Sequence, residues 1–112
     1  MTEADRLLSP DLPHPSRQEL VLTAVLFALS DPARLEIVRQ LAGGAVEMAN
    51  CHLITPDVPK STKSHHMKVL REAGVLRNEA AGRGRLLSLR LEDLEARFPG
   101  LIPAVLAAAP EG

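Results

Sequence analysis

Aromatic side chains are almost missing from this sequence: Phe27 and Phe98 are the only two in 112 residues, with no Trp or Tyr. Its core must therefore be aliphatic. A single cysteine, Cys51, leaves no partner for an intramolecular disulfide. No segment approaches the ~20 consecutive apolar residues of a membrane span. Residues 1–15 are polar, carry Pro10, Pro13 and Pro15, and lack the apolar stretch of a signal peptide. A cytoplasmic protein is expected. Net charge is nearly absent as well, at −1. What remains is an ordinary globular composition, 46% hydrophobic and 24% charged, at a length that suits one domain around one modest core.

The small net charge conceals a segregation along the chain. Residues 60–90 hold eight basic side chains (Lys60, Lys63, Lys68, Arg71, Arg77, Arg83, Arg85 and Arg90) against two acidic ones, Glu72 and Glu79, whereas the remainder holds five basic and twelve acidic residues. A basic segment in an acidic frame is the electrostatic pattern of one polyanion-binding face, the acidic remainder limiting non-specific adhesion. Because the basic segment contains no aromatic residue, RNA recognition by base stacking is excluded.

Local patterns place the elements. Residues 1–15 have no apolar periodicity and read as a flexible N-terminal arm, a mobile tail or a loosely docked one. Ser16 and Glu19 have capping-box spacing, and two apolar stripes follow: Leu20, Ala24, Phe27 and Ala28, then Leu22, Val25, Leu26 and Leu29. A helix so apolar needs two partners, its own core and a second subunit. Asp31-Pro32 opens a second helix over residues 32–42, stopped by Gly43-Gly44. Its Leu35, Val38, Leu41 and Ala42 face the core, and Arg34, Glu36, Arg39 and Gln40 stay wet. A short helix is predicted over residues 47–54. After the turn at Asp57-Val58-Pro59 comes a stronger helix that starts near Ser61 or Thr62, buries Met67, Leu70 and Ala73, and stops at Gly74. These two helices form a helix-turn-helix whose second member is the recognition helix. Residues 75–79 and 86–91 read as strands around a turn at 81–85, the second with Leu87, Leu89 and Leu91 alternating against Ser88 and Arg90. That hairpin is a wing. Helical segments at 92–98 and 101–109, separated by Pro99-Gly100, complete a mainly α winged helix-turn-helix domain over residues 16–109.

Major-groove reading needs a helix start bearing short polar and cationic side chains, where the amide dipoles favour phosphate and the side chains reach base edges. Lys60, Ser61, Thr62, Lys63, Ser64 and His65 meet that need, with Lys68 one turn further on. Arg83 and Arg85 flank Gly84 at the hairpin tip, where guanidinium groups reach the minor groove or flanking phosphates.

The runs Leu29-Ser30-Asp31-Pro32-Ala33-Arg34-Leu35-Glu36-Ile37-Val38 and Ser61-Thr62-Lys63-Ser64-His65-His66-Met67-Lys68-Val69-Leu70-Arg71-Glu72-Ala73-Gly74-Val75-Leu76 resemble the ArsR/SmtB family of winged helix-turn-helix repressors, over roughly residues 16–91. The resemblance implies a sequence-specific DNA-binding transcription regulator, a repressor on an imperfect palindromic operator. It implies a homodimer joined through the first and last helices, with recognition helices about one duplex turn apart. By position it puts Lys60, Ser61, Lys63, Ser64 and His65 on the DNA-facing part of the helix, and places His66 where a family histidine faces phosphate or the core, more often in a structural role.

The effector is where the chain departs from that family. Metal-sensing members resemble one another in two cysteines one residue apart on the third helix, or in Asp and His ligands along the last helix. Here Ala49 stands at the first cysteine position, Cys51 at the second with His52 after it, and residues 101–109 contain no His, Cys, Asp or Glu. Cys51 and His52 are left as candidate metal ligands, joined by His14 or by the other subunit, with zinc or nickel as the metals that suit thiolate and imidazole. Against this, sequence neighbours on a helix point about 100° apart, and a lone buried cysteine is the commoner arrangement. No cofactor is assigned, and an effector metal and a partner protein both remain open. A rival reading is a winged-helix interaction module acting with a partner regulator. No enzyme is expected: the only nucleophile–base pairs, Cys51-His52 and Ser64-His65, are adjacent and have no orienting carboxylate.

Overall fold

In the computed structural model, which describes residues 12–48 and 59–109, a 3-10 turn (Arg17–Glu19) leads into α1 (Leu22–Ala28), α2 (Pro32–Leu41), β1 (Val46–Glu47), α3 (Lys60–Glu72), β2 (Leu76–Ala81), β3 (Gly84–Leu89), α4 (Leu91–Arg97) and α5 (Leu101–Ala108). The strands form one antiparallel sheet in the order β1-β3-β2. The sheet packs on α2 and α3, and α3 also contacts α1, while α4 joins α5 and the 3-10 turn. Among the described residues no helix is long and apolar enough to cross a membrane.

Two boundaries follow directly from residue chemistry. Asp31 accepts the amides of Ala33 and Arg34 at 2.8 and 3.2 Å, a cap worth about 1 kcal/mol, and Pro32 at the first helical position gives up no hydrogen bond. At the far end of α3, the Val75 amide donates to the Leu70 carbonyl (2.9 Å) and the Gly74 amide to the Arg71 carbonyl (3.0 Å). This is a Schellman closure, and it needs the left-handed φ of +83° that Gly74 supplies. A β-carbon there would also lie 2.0 Å from a Leu20 methyl carbon, so glycine is required for shape as well as for torsion.

The core is aliphatic, as composition demanded. Leu20, Val25, Ile37, Val38, Leu70, Val75, Leu76, Leu87, Leu94 and Ile102 are essentially inaccessible, Phe27 is 63% exposed, and Phe98 packs at the edge. Met67, Leu70 and Ala73 are buried on α3 as expected.

Elsewhere the chain differs from its sequence reading. The Ser16 amide does donate to Glu19 Oε1 (2.7 Å), but the capped unit is the 3-10 turn. Leu20 and Val21 are extended, and α1 begins at Leu22. Burial of Leu20 against Gly74 draws the chain inward at that point. Glu47, expected to open a helix, lies in β1 opposite Leu86, with Val46 opposite Leu87. Residues 49–54 of that expected helix, with Cys51 and His52, lie outside the described residues. The wing turn is tighter than predicted: Ala81 pairs with Gly84, leaving Gly82-Arg83 as a two-residue loop with φ of +59° at Gly82, the primed geometry that matches strand twist. Leu91, expected in the strand, instead opens α4 and is exposed.

Two arginines expected to stay wet, Arg34 and Arg90, are interior. Arg90 is buried, donating to the Pro15 carbonyl (2.7 Å) and to Asp93 Oδ2 (3.0 Å). Asp93 also accepts Arg17 Nε at 2.7 Å and lies 3.4 Å from Arg77. One carboxylate thus gathers the segment before α1, the wing and α4. The bond from Arg17 holds the Asp93 carboxyl below the usual carboxylate range; burial opposes it, and the bond from Arg90 and the charges of both arginines add to the lowering. Its contribution to stability is therefore complete above the ordinary aspartate pKa and is lost as pH falls through the depressed one. Asp93→Asn should lower unfolding stability at neutral pH by about 1–3 kcal/mol and flatten the acid limb of stability against pH. Urea titrations across the acid range check both, and an unchanged acid limb would remove Asp93 from the linkage.

Candidate nucleic-acid interface

The helical period sorts the side chains of α3 into two faces. His66, Met67, Leu70 and Arg71 are buried, whereas Lys60, Ser61, Ser64, His65 and Lys68 are exposed. The exposed positions recur at the spacing of a single helix stripe. Thr62 and Lys63 are half-buried along its flank. Five of the seven sequence-selected side chains of α3 are thereby brought onto one outward surface, three of them a cation or imidazole and two a hydroxyl. Pro59 occupies the N-cap, and among the described residues no side chain caps the first turn. The Thr62 and Lys63 amides donate to the Pro59 carbonyl, and the positive end of the helix dipole lies beside Lys60 and Ser61, where it favours an anion such as phosphate.

The opposite face fixes the pose of this stripe. Arg34, read from the sequence as wet, is 6% exposed. Its Nε donates to the Ala28 carbonyl (2.7 Å), one terminal nitrogen to the Phe27 carbonyl (3.2 Å) and the other to His66 Nδ1 (3.3 Å). The guanidinium also lies 5.3 Å from the Phe27 ring centroid. It binds two of the last carbonyls of α1, the Phe27 one shared with the Ser30 amide and hydroxyl, and reaches α3 at the same time. Since a guanidinium only donates, His66 accepts at Nδ1. The Asp31 carboxyl nearby is shifted down: burial raises it, but the Arg34 and Ala33 amides, helped by the neighbouring Arg34 charge, outweigh that.

On the wing the two predicted arginines part company. Arg83 occupies the exposed two-residue turn. Arg85 lies within β3, opposite Ala80, and turns back across the hairpin, its Nε to Asn78 Oδ1 (2.8 Å) and a terminal nitrogen to the Asn78 carbonyl (2.6 Å). Asn78 is buried and had no place in the sequence reading, because nothing in its local pattern distinguishes it from a solvated strand residue. His14, weighed as a metal ligand, accepts the Asn78 amide at 3.0 Å. Among the described residues no three His, Cys, Asp or Glu side chains come together in a way that could hold a metal.

With this geometry in view, the comparisons with known proteins agree. Residues 29–79 match the model of a family described as a helix-turn-helix domain. The chain is 33% identical over 81 residues to the uncharacterized HTH-type transcriptional regulator YceK of Bacillus subtilis (strain 168), covering 67% of this chain and 76% of that protein. Among solved structures, an ArsR family transcriptional regulator matches with a TM-score of 0.60 and 23% identity over 80% of this chain and 98% of its own. The transcriptional repressor BigR from Xylella fastidiosa also gives 0.60 and 23%, over 81% and 88%. A possible transcriptional regulator for arsenical resistance gives 0.55 and 28%, over 81% and 100%. The two at 23% establish the fold, five helices and a small sheet in the winged arrangement, and YceK and the domain match establish kinship. The chain therefore belongs to the helix-turn-helix transcriptional regulators, and its fold is the winged one of the ArsR family structure it resembles.

Proposed function

We propose that this DNA-binding regulator is a homodimeric repressor that lays α3 in the major groove of each half of an imperfect palindromic operator, with the wing on the flanking backbone. The observation that carries this reading is the single exposed stripe of Lys60, Ser61, Ser64, His65 and Lys68 on a helix whose other face is locked into the core. Cations there meet phosphate, and Ser64 and His65 are the side chains placed to read base edges. Arg83 extends the positive surface from the hairpin tip.

Support for the dimer comes from apolar surface that the isolated chain leaves open. Val21, Leu22, Leu26 and Phe27 are each at least 44% exposed, and a groove lined by Ala24, Phe27, Val69, Glu72 and Ala73 continues that surface between α1 and α3. On α5, Pro103, Ala104 and Ala107 are exposed as well. A monomer rarely leaves so much contiguous apolar surface wet, and a two-fold pair of α1 and α5 faces covers it in a closed assembly.

Three outcomes test the reading. Ser64→Ala with His65→Ala should reduce the preference for an in-vitro-selected duplex over a scrambled one by about 1–3 kcal/mol per lost base contact with little change in thermal midpoint, both side chains being exposed. Fluorescence anisotropy reads this, and an unaltered preference would take the pair off the bases. Arg83→Ala should weaken binding to every duplex alike and lower the salt slope by about one counterion; a slope identical to wild type removes the tip from the interface. Leu22→Glu with Leu26→Glu should yield a folded monomer, and sedimentation equilibrium at the mass of a dimer would overturn the assignment of α1 to the subunit interface.

A further inference from the structure

Asn78 lies on β2, an edge strand, yet it is 6% exposed and its main-chain and side-chain groups are taken up from two sides. Arg85 grips its carbonyl and its Oδ1, and the imidazole of His14 accepts its amide at 3.0 Å from 64 residues away in the chain. The carbonyls on either side of His14 are held too, Pro13 by Arg71 at the end of α3 and Pro15 by Arg90 at the base of the wing. Residues 12–15 thus form a strap that spans the end of the recognition helix and the free edge of the hairpin.

We propose that His14 is a positioning residue for the wing: by accepting the Asn78 amide it pins the edge of β2, and through Asn78 it pins Arg85, so that Arg83 is presented to DNA in one place. The coupling to DNA rests on the DNA-binding reading above; the coupling of strap to wing stands on the contacts alone. An edge strand with unpaired amides frays readily. Here a side chain closes the edge instead of a further strand.

The same bond makes the strap sensitive to protonation. With Nε2 accepting, the proton of the neutral ring sits on Nδ1, where the ring bonds the Leu12 backbone. A second proton on Nε2 would face the Asn78 amide donor to donor. The groups around the ring are Arg71 of α3, Arg90 ahead of α4 and Glu79 of β2. Burial is the largest influence and lowers the His14 pKa, the Leu12 bond opposes it, the two arginines lower it further and Glu79 raises it, leaving a net depression. Docking is therefore complete above the ordinary histidine value and is lost as pH falls through the depressed one. Acidification should loosen the wing, opposite to the usual strengthening of polyanion binding as a protein gains positive charge.

The test uses the full chain, labelled for NMR, as wild type, His14→Ala and His14→Gln; glutamine retains an acceptor but does not titrate. Protection factors of the Asn78 amide and the Arg85 Nε proton are measured at about pH 7.5 and about pH 5, alongside anisotropy with a random-sequence duplex of about two turns. We expect His14→Ala to lower both protection factors roughly five- to tenfold while core amides of α2 hold, and acid to do the same to wild type but not to His14→Gln. Duplex affinity should fall roughly threefold to tenfold in His14→Ala and recover in His14→Gln. Equal protection in wild type and His14→Ala would overturn the relay, as would a pH response that persists in His14→Gln. A loosened Asn78 with undiminished DNA affinity overturns the coupling to DNA. Should His14→Ala fail to fold, the pH response of His14→Gln against wild type decides the matter. Absence of duplex binding by wild type counts against the regulator reading, and the exchange data still decide the relay.

Discussion

The guanidinium of Arg34 is the point on which the arrangement of the helices depends. It ends α1 by taking two of its last carbonyls, belongs to the first turn of α2, and touches α3 through His66. A buried charge is tolerable only when its donors are all met and an opposite charge is near, and the capping carboxylate of Asp31 at the same corner supplies the second condition. No buried side-chain nitrogen or oxygen among the described residues lacks a partner. Because the side chains that orient α3 lie on the face away from Lys60, Ser64 and Lys68, the exposed stripe can vary without disturbing the helix that bears it.

Arginine and lysine divide the work of the basic segment. Arg71, Arg85 and Arg90 spend their planar forks on carbonyls and on Asn78, and Arg77 leans toward Asp93. Lys60 and Lys68 stay on the surface with Arg83. A guanidinium makes several directed bonds to fixed oxygens, whereas an ammonium is a strongly hydrated point charge suited to a mobile phosphate. The positive excess counted along residues 60–90 is thus partly architectural, and the part that faces outward is smaller than the sequence total implies.

What the sequence made legible were the elements whose cause is local. Asp31-Pro32 announced α2, Gly74 announced the end of α3, and the alternation around Leu87 and Leu89 announced the wing. The exposed helix stripe followed from period alone. Illegible features came from contacts distant in sequence: the burial of Arg34 by His66 and of Arg90 by Pro15 and Asp93, the kink at Leu20 against Gly74, and the pairing of Val46 and Glu47 with β3. Arg34 and Arg90 carry the residue type of a solvated face, and only the location of carbonyl and imidazole acceptors elsewhere in the chain calls them inward. Asn78 was invisible for the same reason, since its value lies in being reached by both His14 and Arg85.

The two-residue turn at Gly82-Arg83 constrains how this family member can diverge. Side chains alternate along β2 and β3, with Leu76, Asn78, Leu87 and Leu89 on the inner face. One residue gained or lost within a strand would reverse every side chain beyond it, turning Leu87 to water and Ser88 into the core. Length changes in the wing must therefore come in pairs or be absorbed as a bulge at the tip, while substitution at position 83 is unrestricted by the register. The reach of the wing is quantised by the pleat, and its chemistry is free to drift.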